Sequence, residues 1–146
     1  MSYKRIGAYT GEKSVKYLAE VASRLEMQAS ATGYEATSDQ TELLRDSFYP
    51  FVGHLFPGPW KFAMVVLVKT HGHLPVHRDG AMPTGVTRYH LVLQTNPRCW
   101  YFHDGAWEQL EVGGIYELDP TLEHGAINWG AEPRIHLVID TEQRNG

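Results

Sequence analysis

The hydrophobic rhythm of the chain changes near Trp60. Before it, Val15, Leu18, Val21 and Leu25 recur at intervals of three and four, with Lys13, Lys16, Glu20 and Arg24 off that stripe. This is the period of an amphipathic helix with one buried face. After Gly33, Thr37 or Ser38 is placed to cap a second helix through Leu43, Leu44 and Phe48. Pro50 is expected to end it, because proline removes an N–H and clashes with the preceding turn. The stretch Gly53–Pro59 reads as a connection. From Trp60 onward, short apolar or alternating runs take over: Phe62–Val68, Arg88–Thr95, Cys99–His103, Trp107–Leu110, Gly114–Leu118, Glu123–Asn128 and Arg134–Asp140. Turn residues separate these runs, and each has the length of a strand. Asp104-Gly105, between two aromatic-rich runs, predicts a tight hairpin turn. No internal repeat, low-complexity tract or linker divides the chain. The pattern predicts one mainly β domain over residues 1–146. Its core is an antiparallel barrel or jelly roll in residues 60–146, and the mainly helical part, 1–59, packs on one outer face.

Two of the strands carry an unusual polar face. Alternation separates Arg88 and His90 from Tyr89, Leu91 and Leu93, and Arg134 and His136 from Ile135, Leu137 and Ile139. Such faces either meet solvent on half-buried strands or line a barrel lumen that holds something polar. The histidines weigh toward the lumen. Of eight, all but His54 fall between His71 and His136, inside the β part.

Composition narrows the class. At 146 residues, with 42% hydrophobic and 21% charged positions, the chain has enough length for a substantial single core. A net charge of −4 argues against an extended nucleic-acid footprint. Met1–Thr10 lacks the apolar core of a secretory signal, and Phe62–Val68, the longest apolar run, is too short to cross a bilayer. Cys99 is the only cysteine, so no intrachain disulfide calls for an oxidising compartment, and cytoplasmic residence is expected.

The candidate chemistry centres on His77-Arg78-Asp79, His124 and Arg134. An H-x-D pair with a distant third His supplies two imidazoles and a carboxylate. That is the facial set that holds non-haem Fe(II) and leaves the opposite coordination positions open. A 2-oxoacid can chelate there through two oxygens and leave a position for O2. Arg134, ten residues after His124, offers a guanidinium for a distal carboxylate. The same His-Arg-Asp tripeptide occurs in kinase catalytic loops, but Thr84 stands where that motif needs Asn, and no Gly-rich loop precedes it. His71 and His73 read as loop or strand-end residues near the site. Asp119–Asn128, with its H-x-x-x-N spacing, loosely echoes the second cupin motif. Arg98, Trp100, Tyr101 and Trp107 read as hairpin and barrel packing. Cys99 has no base at motif spacing, and Gly113-Gly114 reads as a turn because no helix follows it.

Several of these segments together resemble one family. They are Leu74-Pro75-Val76-His77, Arg88 to Leu93, Gly113-Gly114 before a strand, Glu123-His124 with Asn128-Trp129, and Arg134 leading into Leu137 to Asp140. Over about Val65 to Asp140 the chain resembles the aspartyl/asparaginyl β-hydroxylase-like branch of the Fe(II)/2-oxoglutarate-dependent oxygenases. The resemblance implies a double-stranded β-helix, the cupin-like jelly roll. It implies His77 and His124 as iron ligands and Arg134 at the distal carboxylate of 2-oxoglutarate, with Arg88 and His90 near its metal-bound end. Asp79 departs from the best-known animal member, which has a non-ligating Gly there, and restores the full triad of the wider superfamily. The serine that helps hold the cosubstrate has no counterpart in Val65-Val66-Leu67-Val68. The implied activity is a dioxygenase using Fe(II), 2-oxoglutarate and O2 on an Asp or Asn side chain in a peptide, or on a free amino acid. Arg78 and Lys69 read as solvated surface charges, with contact to a substrate carboxylate as the alternative. A cupin-like metal enzyme without 2-oxoglutarate and a non-catalytic jelly-roll module are the alternatives. Nucleic-acid and membrane partners are not expected, and the oligomeric state is left open.

Overall fold

The computed structural model describes residues 3–11 and 14–142. Lys13, assigned above to the polar side of the first helix, lies outside them, as do Met1 and Ser2 of the N-terminal stretch. The elements in chain order are β1 (Tyr3–Ala8), α1 (Val15–Ser23), β2 (Gln28–Ala29), β3 (Tyr34–Ala36), α2 (Thr41–Val52) and a 3-10 turn at Gly53–Leu55. There follow β4 (Trp60–Val68), β5 (His73–His77), β6 (Val86–Gln94), β7 (Cys99–His103), β8 (Ala106–Glu108), β9 (Gly114–Leu118), β10 (His124–Asn128) and β11 (Arg134–Glu142).

Two antiparallel sheets form, one ordered β1-β9-β6-β11-β4-β3-β2 and the other β5-β10-β7-β8. From β4 onward the chain passes back and forth between them, and this winding is the double-stranded β-helix. Alternation sorts the large sheet into two faces. Tyr89, Leu91 and Leu93 of β6 and Ile135, Leu137 and Ile139 of β11 pack with Leu18 and Ala22 of α1 and Leu44, Phe48 and Val52 of α2. The opposite face turns toward the small sheet, where Val68, Val92, Tyr116 and Leu118 meet Tyr101 and Ala126. Among the described residues no helix is long and apolar enough to cross a membrane.

The helices differ from the expected bounds. Ser14 caps α1 by accepting from the Tyr17 N–H through its hydroxyl. Thr37 does not cap α2. Its N–H donates to Val65 O at 3.0 Å, and its Oγ1 accepts from Val65 N at 3.0 Å, so it continues the β3–β4 pairing. The helix begins at Thr41 instead. Pro50 also fails to end it, since α2 runs on to Val52. One lost hydrogen bond in the last turn is outweighed by the burial of Phe48 and Val52. Residues 1–59 also supply β1, β2 and β3, which extend the large sheet at both edges. Asp104 and Gly105 both take positive φ between β7 and β8, the hairpin expected there. Trp100 and Trp107 depart from the packing role, being 40% and 44% exposed. Alternation along β7 turns Trp100 and Phe102 outward and Tyr101 inward.

Two contacts fix the segments that carry the site. Gly33 has φ +90, and a Cβ on it would lie 2.8 Å from Gly72 Cα. Only glycine fits this crossing of the β3 approach and the β4–β5 turn. Asn128, fully buried, donates to Val68 O at 3.0 Å and Glu132 O at 2.9 Å, and accepts from Gly130 N at 2.9 Å and Asn96 Nδ2 at 3.2 Å. The H-x-x-x-N echo is therefore structural at its Asn end, tying β10 to β4. Asn128→Ala leaves buried donors and acceptors unpaired, at about 1–3 kcal/mol for each group. We expect it to destabilise the protein by about 2–4 kcal/mol in urea denaturation. A change within 0.5 kcal/mol, the usual bound for an uninvolved surface position (about that size), would show that the knot is dispensable.

Candidate active site

The β5–β10 register builds the site. His77 and His124 are direct antiparallel partners, so their side chains lie on one face, with ring centroids 4.3 Å apart. Each ring is held the same way. His77 Nδ1–H donates to Pro75 O at 2.8 Å, and His124 Nδ1–H donates to Leu122 O at 2.9 Å. A carbonyl only accepts, so Nδ1 carries the proton, and in the neutral ring Nε2 presents a lone pair. Asp79 follows two residues after β5, and its N–H donates to Pro120 O at 2.9 Å. The turn supplying that carbonyl is set by Asp119, whose Oδ1 accepts from Thr121 N at 2.9 Å and Thr121 Oγ1 at 2.6 Å. Those bonds hold the Asp119 carboxyl below its usual pKa.

Asp79 Oδ1 lies 3.3 Å from His77 Nε2, and Oδ2 lies 3.5 Å from His124 Nε2. Ligand atoms of all three residues fall within 4.8 Å of one another. Two imidazoles and one carboxylate on one side of a cavity form the donor set that suits Fe(II). Burial, only partly offset by the Leu122 carbonyl, lowers the His124 pKa, which keeps its Nε2 available as a ligand.

A cavity of about 320 Å³ runs inward from this cluster, lined also by Arg88, His90, Tyr101 and Arg134. The two guanidiniums are in opposite states. Arg88 donates through Nε and Nη2 to both oxygens of Asp140, at 2.7 and 3.0 Å, and through Nη1 to Asp79 Oδ2 at 3.0 Å. Burial opposes its charge, but the Asp140 bonds and charge, with Asp79 behind them, more than compensate and raise its pKa. Arg134 is 3% exposed, and its Nε and Nη1 make no hydrogen bond among the described residues. Burial lowers its pKa to about 10, so it stays a cation at neutral pH. A buried cation with open donors matches a carboxylate ligand, and this fits 2-oxoglutarate.

Behind these groups, His90 and His136 meet Nδ1 to Nδ1 at 3.0 Å. One ring must donate and the other accept. Burial, then the charge of Arg134, pushes both well below the ordinary histidine pKa. Tyr101 was assigned above to packing, yet its ring reaches the cavity, and burial raises the pKa of its hydroxyl. The inward alternation of Cys99, Tyr101 and His103 was the available signal for it. Asp140 was also missed as a functional residue. It shares the face of Arg134 and His136, so the same alternation pointed to it.

Not every candidate converges. His71 sits in a turn at φ 65, and its N–H donates to Asn128 O. His73 is exposed at the start of β5. Neither joins the cluster of three. Lys69 pairs with Glu35 at 3.7 Å and Arg78 with Glu123 at 3.6 Å, both on the surface.

Residues 37–144 match the aspartyl/asparaginyl beta-hydroxylase family. The chain belongs to that family. A relative, the L-proline cis-4-hydroxylase of Rhizobium meliloti, is 32% identical over 83 residues, which are 56% of this chain and 30% of that protein. The chain thus spans about a third of that relative's length. Among solved structures, HygX from Streptomyces hygroscopicus with nickel and 2-oxoglutarate bound superposes with a TM-score of 0.71 at 9% identity, covering 99% of this chain and 84% of that one. A Pseudomonas putida prolyl-4-hydroxylase superposes at 0.62 with 15% identity, covering 99% and 94%. An RmlC-like cupin from Shewanella frigidimarina superposes at 0.51 with 11% identity, covering 99% and 97%. These likenesses share the β-hydroxylase family member's double-stranded β-helix.

The neutral pair His90–His136 predicts an acid limit to stability. Both rings titrate near pH 6.5 when unfolded, but resist protonation when folded. Below that pH the unfolded chain binds more protons, so stability is complete above about 6.5 and falls below it. The expected slope is about 1.4 kcal/mol per pH unit for each ring. Urea midpoints from pH 7.5 down to 5.5 (roughly one unit either side of the free value) should follow this decline, and His136→Asn should flatten it. Equal slopes in the two proteins would refute the account.

Proposed function

We propose that the protein is an Fe(II)- and 2-oxoglutarate-dependent dioxygenase that hydroxylates a small amino-acid substrate, free or within a peptide. The observation that carries this reading is Arg134, a buried cation whose Nε and Nη1 have no partner among the described residues, lining the same cavity as His77, Asp79 and His124. On this reading His77, Asp79 and His124 hold the metal. Arg134 pairs with the distal carboxylate of 2-oxoglutarate, and Arg88 and His90 lie near its other end. When bound, iron and 2-oxoglutarate supply the activation of O2, with oxidative decarboxylation to succinate and CO2 and transfer of one oxygen atom to a substrate C–H.

The chain's own groups provide geometry, charge and dryness. The carbonyls of Pro75 and Leu122 hold both imidazoles with Nε2 toward the site. Met64, Val66 and Val138 give the cavity an apolar wall, which limits water near a reactive centre and strengthens the Arg134–carboxylate attraction. Tyr101, which lines the same cavity as Arg134, would take the place of the missing serine as a second donor to the distal carboxylate.

Substrate class follows from what remains. Arg88 is already engaged by two carboxylates, and Arg134 is assigned to the cosubstrate. Among the described residues no other Lys or Arg lines the cavity, while Tyr34, Ala36 and Leu74 present apolar surface there. This supports an apolar group such as the proline ring over an aspartyl side chain inside the cavity, in line with the proline-hydroxylating relative.

The direct test is 2-oxoglutarate turnover by iron-loaded protein, read as succinate, against proline, aspartate, asparagine and short peptides containing them. Metal binding without succinate from any of these would favour a cupin-like metal enzyme. Arg134→Met should weaken 2-oxoglutarate binding by about 2–5 kcal/mol, the range for truncating one partner of a buried charge pair. Thermal stability and metal affinity should stay close to wild type. Unchanged cosubstrate affinity would make the arginine structural. Asp79→Gly recreates the two-histidine variant of the family. Iron affinity should then drop by more than the roughly 10–100-fold typical of losing an outer partner, with turnover collapsing. Near-normal turnover would reduce Asp79 to an accessory.

A further inference from the structure

Resting on that reading, we infer that Asp140 is a positioning residue for the metal site, acting through Arg88 on Asp79. The chain of contacts is continuous. Asp140 and Arg88 are direct cross-strand partners on β11 and β6. Asp140 grips the guanidinium in a fork, Nε to Oδ1 at 2.7 Å and Nη2 to Oδ2 at 3.0 Å. The remaining terminal nitrogen, Nη1, reaches Asp79 Oδ2 at 3.0 Å. The three side chains grade outward, with Asp140 9% exposed, Arg88 13% and Asp79 37%. Asp79 lies beyond the end of β5 and needs an external hold, which this bridge supplies from the rigid centre of the large sheet.

Charge gives Asp140 its second effect. Without it, Arg88 would have Asp79 as its only anionic partner among the residues described around it. A guanidinium with one carboxylate partner settles into a bidentate pair. It would then occupy the oxygens that a divalent cation also needs, and would set an unbalanced positive charge beside that cation. With Asp140 taking the fork, Arg88 is neutralised and offers Asp79 a single hydrogen bond. That bond orients the carboxylate and leaves Oδ1 turned to His77 Nε2, at 3.3 Å.

Metal affinity, measured by anaerobic Fe(II) and Co(II) titration without 2-oxoglutarate or turnover, is the test. Asp140→Asn removes the charge and keeps the shape, and is expected to lower affinity about 10–100-fold. Arg88→Lys keeps all charges but cannot make both contacts at once, and should lower affinity similarly. If Asp140→Asn does not fold, as judged by thermal melting of the metal-free protein, the Arg88→Lys result decides. In an Arg88→Met background, Asp140→Asn should cause no further loss, because the link is already cut. An affinity within twofold of wild type in the decisive variant, or equal losses with and without Arg88, would overturn the inference. A wild-type protein that binds no divalent metal would instead sink the functional reading on which it rests.

Discussion

The hydrogen-bonded pairing of β6 with β11 holds two incompatible environments back to back. On one side, Leu91, Leu93, Leu137 and Ile139 are buried beneath both helices. On the other, Arg88, His90, Arg134 and Asp140 face the barrel interior. A slip of one residue would exchange these sets, putting guanidiniums under the helices and aliphatic groups in the cavity. Burying either arginine against leucine would cost several kcal/mol, roughly, even after relaxation. The register is therefore fixed by both faces at once, and the rest of the site inherits its position from it.

Within that frame, the two arginines are treated differently. Each lies in a low-dielectric interior, where an unpaired charge is expensive and an opposite charge is strongly attracted. Arg88 has its charge matched inside the protein by Asp140 and Asp79. Arg134 keeps two donors open among the described residues, and its charge adds to burial, the larger cause, in holding the imidazoles of His90 and His136 below the ordinary histidine pKa. One cation is tied into the scaffold, and the other keeps donors available.

Much of this was legible in the alternation of residues. A polar face containing Arg-x-His recurs on two strands otherwise rich in Leu, Ile and Val, and solvent exposure was the competing explanation. The aliphatic faces pack under α1 and α2, which leaves the polar faces only the interior. His77 and His124 were legible as residue types, but their meeting depends on the β5–β10 register, which no local pattern encodes. Thr37 has the chemistry of a cap and is used in a strand pairing, because the β4 backbone offers both a donor and an acceptor opposite it. β1 escaped notice because most of its residues are exposed, so it carries little apolar alternation. It belongs to the sheet by backbone pairing with β9. Asp140 ends the run Arg134–Asp140, and its partner Arg88 stands on β6, a pairing that no local pattern encodes.

The exposure of the polar groups also orders the site by depth. Arg134 lies deepest, His124 is largely covered, and His77 and Asp79 stand at the rim with side chains 38% and 37% exposed. On the proposed reading, a dicarboxylate would enter with one end toward the buried guanidinium and the other toward the histidine cluster. A substrate would then reach the metal side last, from solvent. Rim residues cannot rely on tight packing for their orientation, and the contacts found here are those that replace it. Carbonyls within two residues hold the imidazoles, the Asp119–Thr121 turn anchors the Asp79 backbone, and Arg88 reaches out from the sheet to the Asp79 carboxylate. An open mouth and an ordered ligand set are both possible because the ordering comes from hydrogen bonds along the rim rather than from burial.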